Sequence, residues 1–162
     1  MPLSIIKYRK KYLNVIYNTF IKHYDNLKQG DNVVFDIDGT LIYGKNPLHS
    51  IIKIYQLLLD RGCHIYIITA RPENVRKYTL GQLQKHKICG FIKLIMYPSV
   101  SILKSDTTIK IFKQSARNSI NNIKLSVGDR WYDLDYICEN INDFSDNDSI
   151  LGDGFIKIFN KE

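Results

Sequence analysis

Apolar positions along the 162-residue chain alternate between short continuous runs and longer stretches in which they recur every three to four residues. Residues 3–29 carry Ile5, Ile6, Tyr12, Leu13, Ile16, Tyr17, Phe20, Ile21, Tyr24 and Leu27 at helical spacing, which predicts one or two helices. Asn32 to Ile37 is an apolar run that meets acid at its end, the pattern of a buried strand. Pro47 to Arg61 returns to helical register and stops at Gly62, a good C-terminal cap. Cys63 to Thr69 predicts a second strand, Pro72 to about His86 a helix weakened by Gly81, and Phe91 to Met96 a third strand. Residues 97–105 read as a loop, and Asp106 or Thr107 as the cap of a helix reaching about Asn121. Ile123 to Val127 reads as a fourth strand, Leu134 to Glu139 as a helical segment, residues 146–152 as a polar loop, and Phe155 to Phe159 as a fifth strand. Such alternation implies right-handed crossovers and a parallel five-stranded sheet with helices on both faces, an α/β fold. The N-terminal helical segment, residues 1–30, is expected to pack on a domain formed by residues 31–162.

Composition narrows the function. With 44% apolar and 24% charged residues the chain resembles an ordinary globular domain, and at this length roughly 70% of the unfolded surface can be buried without metal or disulfide staples. Cys63, Cys89 and Cys138 are scattered and lack zinc-ligand spacing, so they read as reduced thiols. No apolar run approaches the roughly 20 residues of a membrane span, and no leader pattern opens the chain, so a cytoplasmic protein with no membrane partner is expected. A net charge of +7 favours anionic partners. The basic N-terminal segment fits a face packed on the domain better than a membrane helix, because its apolar side is broad and bulky.

The chemistry collects at the strand ends, where open parallel sheets bind ligands. Asp36 and Asp38 follow the first strand, Thr69 ends the second, and Asp129 and Asp133 follow the fourth. Asp36 and Asp38 are two residues apart, so on extended backbone both side chains point the same way. Gly39 permits the turn that follows, and Thr40 can hold it by a local hydrogen bond. Acids gathered in one place repel each other unless a cation intervenes, and an all-oxygen set suits Mg²⁺. Asp36, Asp129 and Asp133 are the candidate ligands.

Val33-Val34-Phe35-Asp36-Ile37-Asp38-Gly39-Thr40-Leu41 resembles the first motif of the haloacid dehalogenase (HAD) superfamily, D-x-D-G-T after a hydrophobic run. Ile67-Ile68-Thr69-Ala70-Arg71 resembles the second motif, Lys113 stands for the third, and Gly128-Asp129-Arg130-Trp131-Tyr132-Asp133 resembles the fourth. The stretches around Thr69 to Glu73, Phe112 to Arg117 and Gly128 to Trp131 are similar to the acid-phosphatase-like subfamily IIIB.

The resemblance implies a HAD-like Rossmannoid fold and a Mg²⁺-dependent phosphomonoester hydrolase. Asp36 would be the nucleophile and Asp38 the acid and base. Asp36, the Asp38 carbonyl and Asp129 would hold the metal, and Asp133 would fix a metal water or orient Lys113. Thr69, backbone N–H groups around Ala70, and Lys113 would bind the phosphoryl oxygens, with Arg71 and Arg130 as possible substrate contacts. Lys104 and Lys110, in the same region, read as solvated surface.

Neither of the two places where this superfamily inserts a cap has room for one, so the site is expected to be open, with Leu41 to Leu48 as a small flap. The expected partner is a phosphorylated small molecule or nucleotide. Nucleic acid ends are the nearest alternative, followed by a phosphotransferase or a non-catalytic phosphate-binding module.

Overall fold

Strand β2 (Asn32–Phe35) buries Val33, Val34 and Phe35 and has a parallel neighbour on each side. Those neighbours are β5 (His64–Pro72) and β7 (Ile123–Gly128). The computed structural model describes residues 6–9, 13–98, 104–134, 148–152 and 154–158. Around β2 the chain runs β1 (Ile6–Arg9), α1 (Leu13–His23), β2, a hairpin of β3 (Ile42–Tyr43) and β4 (Asn46–Pro47), α2 (His49–Asp60) and β5. It continues through a 3₁₀ turn (Glu73–Val75), α3 (Arg76–Lys85), β6 (Lys93–Tyr97), α4 (Asp106–Asn118) and β7. A second 3₁₀ turn (Trp131–Asp133), β8 (Asp148–Gly152) and β9 (Phe155–Lys157) complete the described residues. Among these residues no helix is long and apolar enough to cross a membrane.

The sheet order is β1-β8-β9-β7-β2-β5-β6. The five strands from β9 to β6 are mutually parallel, as expected from the alternating pattern. Starting from β2, the chain adds β5 and β6 on one side, then crosses back to add β7 on the other. Right-handed crossovers place the connecting helices on opposite faces when the direction of addition reverses. Accordingly Phe20 of α1 and Tyr24 just beyond it, Ile51, Ile54, Tyr55 and Leu58 of α2, and Leu83 of α3 pack with Val33 and Phe35 in the main core. Ala116 of α4 and Ile120 just beyond it pack on the other face with Val34 and Ile68. The reversal between β2 and β7 leaves a crevice at their carboxyl ends.

Three expectations need correction. Residues 6–9 are not helical but form β1, paired antiparallel with β8. Over four residues Ile6-Lys7-Tyr8-Arg9 satisfies a period of two as well as a helical one, and a free sheet edge decides between them. The polar stretch 146–152 is not all loop, since Asp148–Gly152 forms β8, antiparallel to β9 across a turn that includes Gly154 at φ +77. The N-terminal cap of α4 is Ser105, one residue before the predicted position. Its hydroxyl accepts the Thr108 N–H at 3.2 Å, while the Thr108 hydroxyl oxygen accepts the Ser105 N–H at 2.9 Å. Apart from Leu134, the helical segment predicted over Leu134 to Glu139 lies outside the described residues.

In the main core the Phe35 and Tyr55 rings meet edge to face, with centroids 5.3 Å apart, and the Tyr55 hydroxyl donates to the Cys89 carbonyl at 2.7 Å. Phe35→Ala is expected to destabilise by about 3–5 kcal/mol. Tyr55→Phe, which keeps the ring and removes the hydrogen bond, is expected to cost about 1 kcal/mol. Urea unfolding of both variants measures the difference, and equal losses would show that ring packing is not the source.

Candidate active site

The first acid leaves the sheet in strand geometry. The Asp36 N–H donates to the Val127 carbonyl at 3.0 Å, continuing the β2 to β7 ladder by one residue and setting the carboxylate at the mouth of the crevice. The chain then turns about one acceptor. The Ile37 carbonyl takes the N–H groups of Thr40, Leu41 and Ile42 at 3.1, 2.9 and 3.0 Å. Gly39 sits in this turn at φ +76, and a side chain there would overlap the Asp129 carboxylate, so the position requires glycine twice over. The Thr40 hydroxyl lies 3.5 Å from Asp36 Oδ2 and donates toward it.

Helix α4 delivers the cation. Its buried residues Lys113, Ala116 and Arg117, with Ile120 beyond the helix, follow helical spacing, so the face that packs on Val34 and Ile68 also carries Lys113 to the strand ends. Lys113 Nζ donates to Asp36 Oδ1 at 2.8 Å and to Asp133 Oδ1, and lies 5.4 Å from the centre of the Tyr132 ring. Asp133 is fixed from two further sides, because its Oδ2 accepts the Arg130 N–H at 3.0 Å and its carbonyl accepts from Arg117 Nη1 at 2.9 Å. A side chain at Gly128 would run into Asp133, so that glycine allows the close approach.

Carboxylate oxygens of Asp36, Asp129 and Asp133, all buried, lie within 4.8 Å of one another. Lys113 bonds two of them, and the nearest approach of Arg130 to Asp129 is 4.0 Å. One ammonium cannot balance three buried acids. Burial and then the charge of Asp133 hold Asp36 well above the usual carboxylate range, against the pull of Lys113. The same two causes push Asp129 up to about 7. Burial alone would lower Lys113, but Asp36 and Asp133 outweigh it and hold the ammonium well above an ordinary lysine. A buried, charge-deficient set of hard oxygen donors fits a divalent cation such as Mg²⁺.

The other residues singled out from the sequence take different positions. Asp36, Asp38, Ala70, Lys113, Asp129 and Arg130 line one cavity of about 290 Å³, with Tyr43 and Gly44 of the hairpin and Tyr132 also in its wall. Thr69 is fully buried in the C-terminal half of β5, and its hydroxyl oxygen accepts the Arg71 N–H at 3.2 Å; Ala70 rather than Thr69 forms the cavity wall. The Asp38 carboxylate stands apart from the three buried acids, gripped by Arg71 through Nε to Oδ2 at 2.8 Å and Nη2 to Oδ1 at 2.6 Å. Arg71 is thus engaged by an acid of the site rather than left open to a ligand. Lys104 is exposed, as expected, yet it donates to the Ala70 carbonyl at 2.9 Å and so braces the cavity rim. Sequence reasoning passed over Tyr43, Tyr132 and Gln82. For Gln82 the signal available was weak: a polar residue three positions after Thr79, on one face of a helix that follows Arg71.

A family model described as HAD superfamily, subfamily IIIB (acid phosphatase) matches residues 43–160. That span holds Thr69, Lys113, Asp129 and Asp133 and begins just after the Asp36 turn. Two solved structures share the fold. One, titled as a Pnkp1/Rnl/Hen1 complex, has a chain 17% identical with a TM-score of 0.54, covering 64% of this chain and 40% of that one. The other, titled as the Pnkp1/Rnl/Hen1 RNA repair complex, gives 18% and 0.53, covering 66% and 38%. This chain therefore spans about two fifths of the length of the solved chains it matches. No curated protein matches it.

The acid cluster makes stability depend on pH. An Asp129 raised from 3.8 to about 7 keeps its proton in the folded chain while the unfolded chain has lost it, so its contribution to stability falls as pH rises through that interval. Thermal unfolding without divalent ions should show the decline, and added Mg²⁺ should raise the midpoint most at the upper end. A midpoint that ignores Mg²⁺ at every pH would exclude the three acids as its site.

Proposed function

Because the chain belongs to the HAD superfamily, subfamily IIIB, the acid phosphatases, we propose that it is a Mg²⁺-dependent phosphomonoester hydrolase that works through an aspartyl-phosphate on Asp36. The observation that carries this reading is the placement of Asp36, Asp38, Lys113 and Asp129 around one open cavity at the switch point of the sheet. Asp36 and Asp129 with the Asp38 carbonyl would hold the metal, and Asp133 would support it while fixing Lys113. A bound Mg²⁺ supplies charge neutralisation between a carboxylate nucleophile and an anionic phosphoryl group.

The chain's own groups divide the remaining work. Asp36 Oδ attacks phosphorus, and the bond from phosphorus to the leaving oxygen breaks as Asp38 gives that oxygen a proton. Asp38, now ionised, takes a proton from water whose oxygen attacks the same phosphorus. The bond from Asp36 to phosphorus then breaks, releasing inorganic phosphate and restoring both acids. Lys113 pulls Asp36 toward its ionised form and faces the oxygens over which phosphoryl charge spreads. The Arg71 grip occupies both oxygens of Asp38, so one of them must be freed for the proton-donating step.

The substrate reading rests on the walls of the cavity. Tyr43 and Tyr132 offer flat apolar surface beside the acids, which supports a nucleotide or a phosphorylated nucleic acid end among phosphomonoesters. A structure of related fold titled as an RNA repair complex points the same way.

Purified protein is expected to hydrolyse p-nitrophenyl phosphate with Mg²⁺ and to lose the activity in EDTA. Asp36→Asn should lower the rate by at least about 10³-fold, since the amide cannot form the aspartyl-phosphate. Across nucleoside monophosphates, phosphorylated oligonucleotides and phosphopeptides, the nucleotide group should give the highest kcat/KM. Hydrolysis that persists in Asp36→Asn would refute the mechanism, and a preference for phosphopeptides would refute the substrate reading.

A further inference from the structure

One side chain outside every sequence motif joins the hairpin to the second acid. Gln82 of α3 accepts a hydrogen bond from Arg71 Nη1 through Oε1 at 2.8 Å and donates from Nε2 to the Gly44 carbonyl at 3.3 Å. Gly44 is in the turn between β3 and β4 and in the cavity wall. Arg71 carries the contact onward to both oxygens of Asp38, while its Nη1 also reaches the Thr79 hydroxyl oxygen at 3.4 Å.

The burial of the two partners sets the direction of control. The Arg71 side chain is 13% exposed and the Asp38 side chain 58%. A guanidinium fixed from behind by Gln82 and Thr79 thus dictates where a largely exposed carboxylate points. The amide of Gln82 has one orientation that satisfies both neighbours. Reversed, its NH₂ would face guanidinium N–H groups and its oxygen the Gly44 carbonyl, two repulsive contacts. Neither a carboxylate nor an aliphatic side chain can make both bonds.

We propose that Gln82 is a positioning residue that couples the hairpin to the proton-transferring acid. Its NH₂ holds the hairpin against α3 beside the cavity, and its oxygen, through Arg71, keeps Asp38 aimed at the leaving oxygen. Docking of the flap and alignment of the acid are joined at this one amide. The inference rests on the phosphatase reading above for the role of Asp38, but not for the link between Gln82 and the hairpin.

The two joints separate by substitution. Gln82→Glu keeps an acceptor for Arg71 and removes the donor to Gly44, whereas Gln82→Ala removes both. The full chain with Mg²⁺ is assayed on p-nitrophenyl phosphate, whose phenolate leaves without help, and on β-glycerophosphate, whose alkoxide needs a proton. Hydrogen exchange at the Tyr43 to Asn46 amides is followed in parallel. Both variants should exchange several-fold faster in the hairpin. Gln82→Ala should lower the alkyl-to-aryl rate ratio about tenfold, part of the roughly 10²–10⁴-fold that positioned proton transfer supplies. Gln82→Glu should hold the ratio near the wild-type value and raise KM for both esters.

A merely structural role would lower both rates together and leave the ratio unmoved, and that result in Gln82→Ala overturns the proposal. So does hairpin exchange that matches wild type in both variants. A wild-type protein that cleaves neither ester would instead overturn the phosphatase reading, and the exchange data would then decide the link to the hairpin alone.

Discussion

The Lys113 ammonium, buried between Asp36 and Asp133, is the interaction on which the rest of the site depends. A buried charge is tolerated only when it is paired and its remaining hydrogen-bonding groups are occupied. The surroundings meet that condition from several elements. The Ser105 cap starts α4 at the point that brings Lys113 to the strand ends, Arg117 and the Arg130 N–H hold Asp133, and Gly128 lets Asp133 come close. The carboxylates still outnumber the ammonium, and the imbalance is what suits the cluster to a divalent cation.

The sheet topology explains why these groups meet. Asp36 and Asp129 follow neighbouring parallel strands at the point where strand addition changes direction, so both stand at the crevice between the strand ends. Helix α4 lies on one face and α1 to α3 serve the other. From the first face comes Lys113; from the second come the supports of Arg71, namely Thr79 and Gln82. The two acids of the first motif are therefore served from opposite sides of the sheet, Asp36 by a lysine and Asp38 by an arginine.

Much of this was legible in the sequence because the signals are local. The run from Val33 to Thr40 announces a buried strand, two acids and a turn within eight residues, and a place inside the helix before the fourth strand, with the Phe-Lys-x-x-x-Arg pattern, sets Lys113 apart from Lys104 and Lys110. The parts that were not legible depend on partners distant in the chain. Ile6 to Arg9 becomes a strand only because β8 offers an edge, and β8 holds only because β9 lies beside it. Lys104 and Gln82 look like ordinary surface residues until the fold brings Ala70 to one and Gly44 with Arg71 to the other. The Asp38 grip belongs to the same class, since spacing places the carboxylate near Asp36 but cannot tell which cation holds it.

The Ile37 carbonyl, acceptor of three N–H groups, bears on how the site tolerates change. Main-chain atoms hold the turn between nucleophile and hairpin, so its shape is indifferent to most side chains that follow. Gly39 is the exception, pinned by φ and by Asp129. The exposed Tyr43 and Lys45 are free of that constraint. The hairpin is thus a place where substrate preference can drift by substitution while the reacting groups keep their positions, a division between inherited chemistry and adjustable selectivity that is built into the backbone.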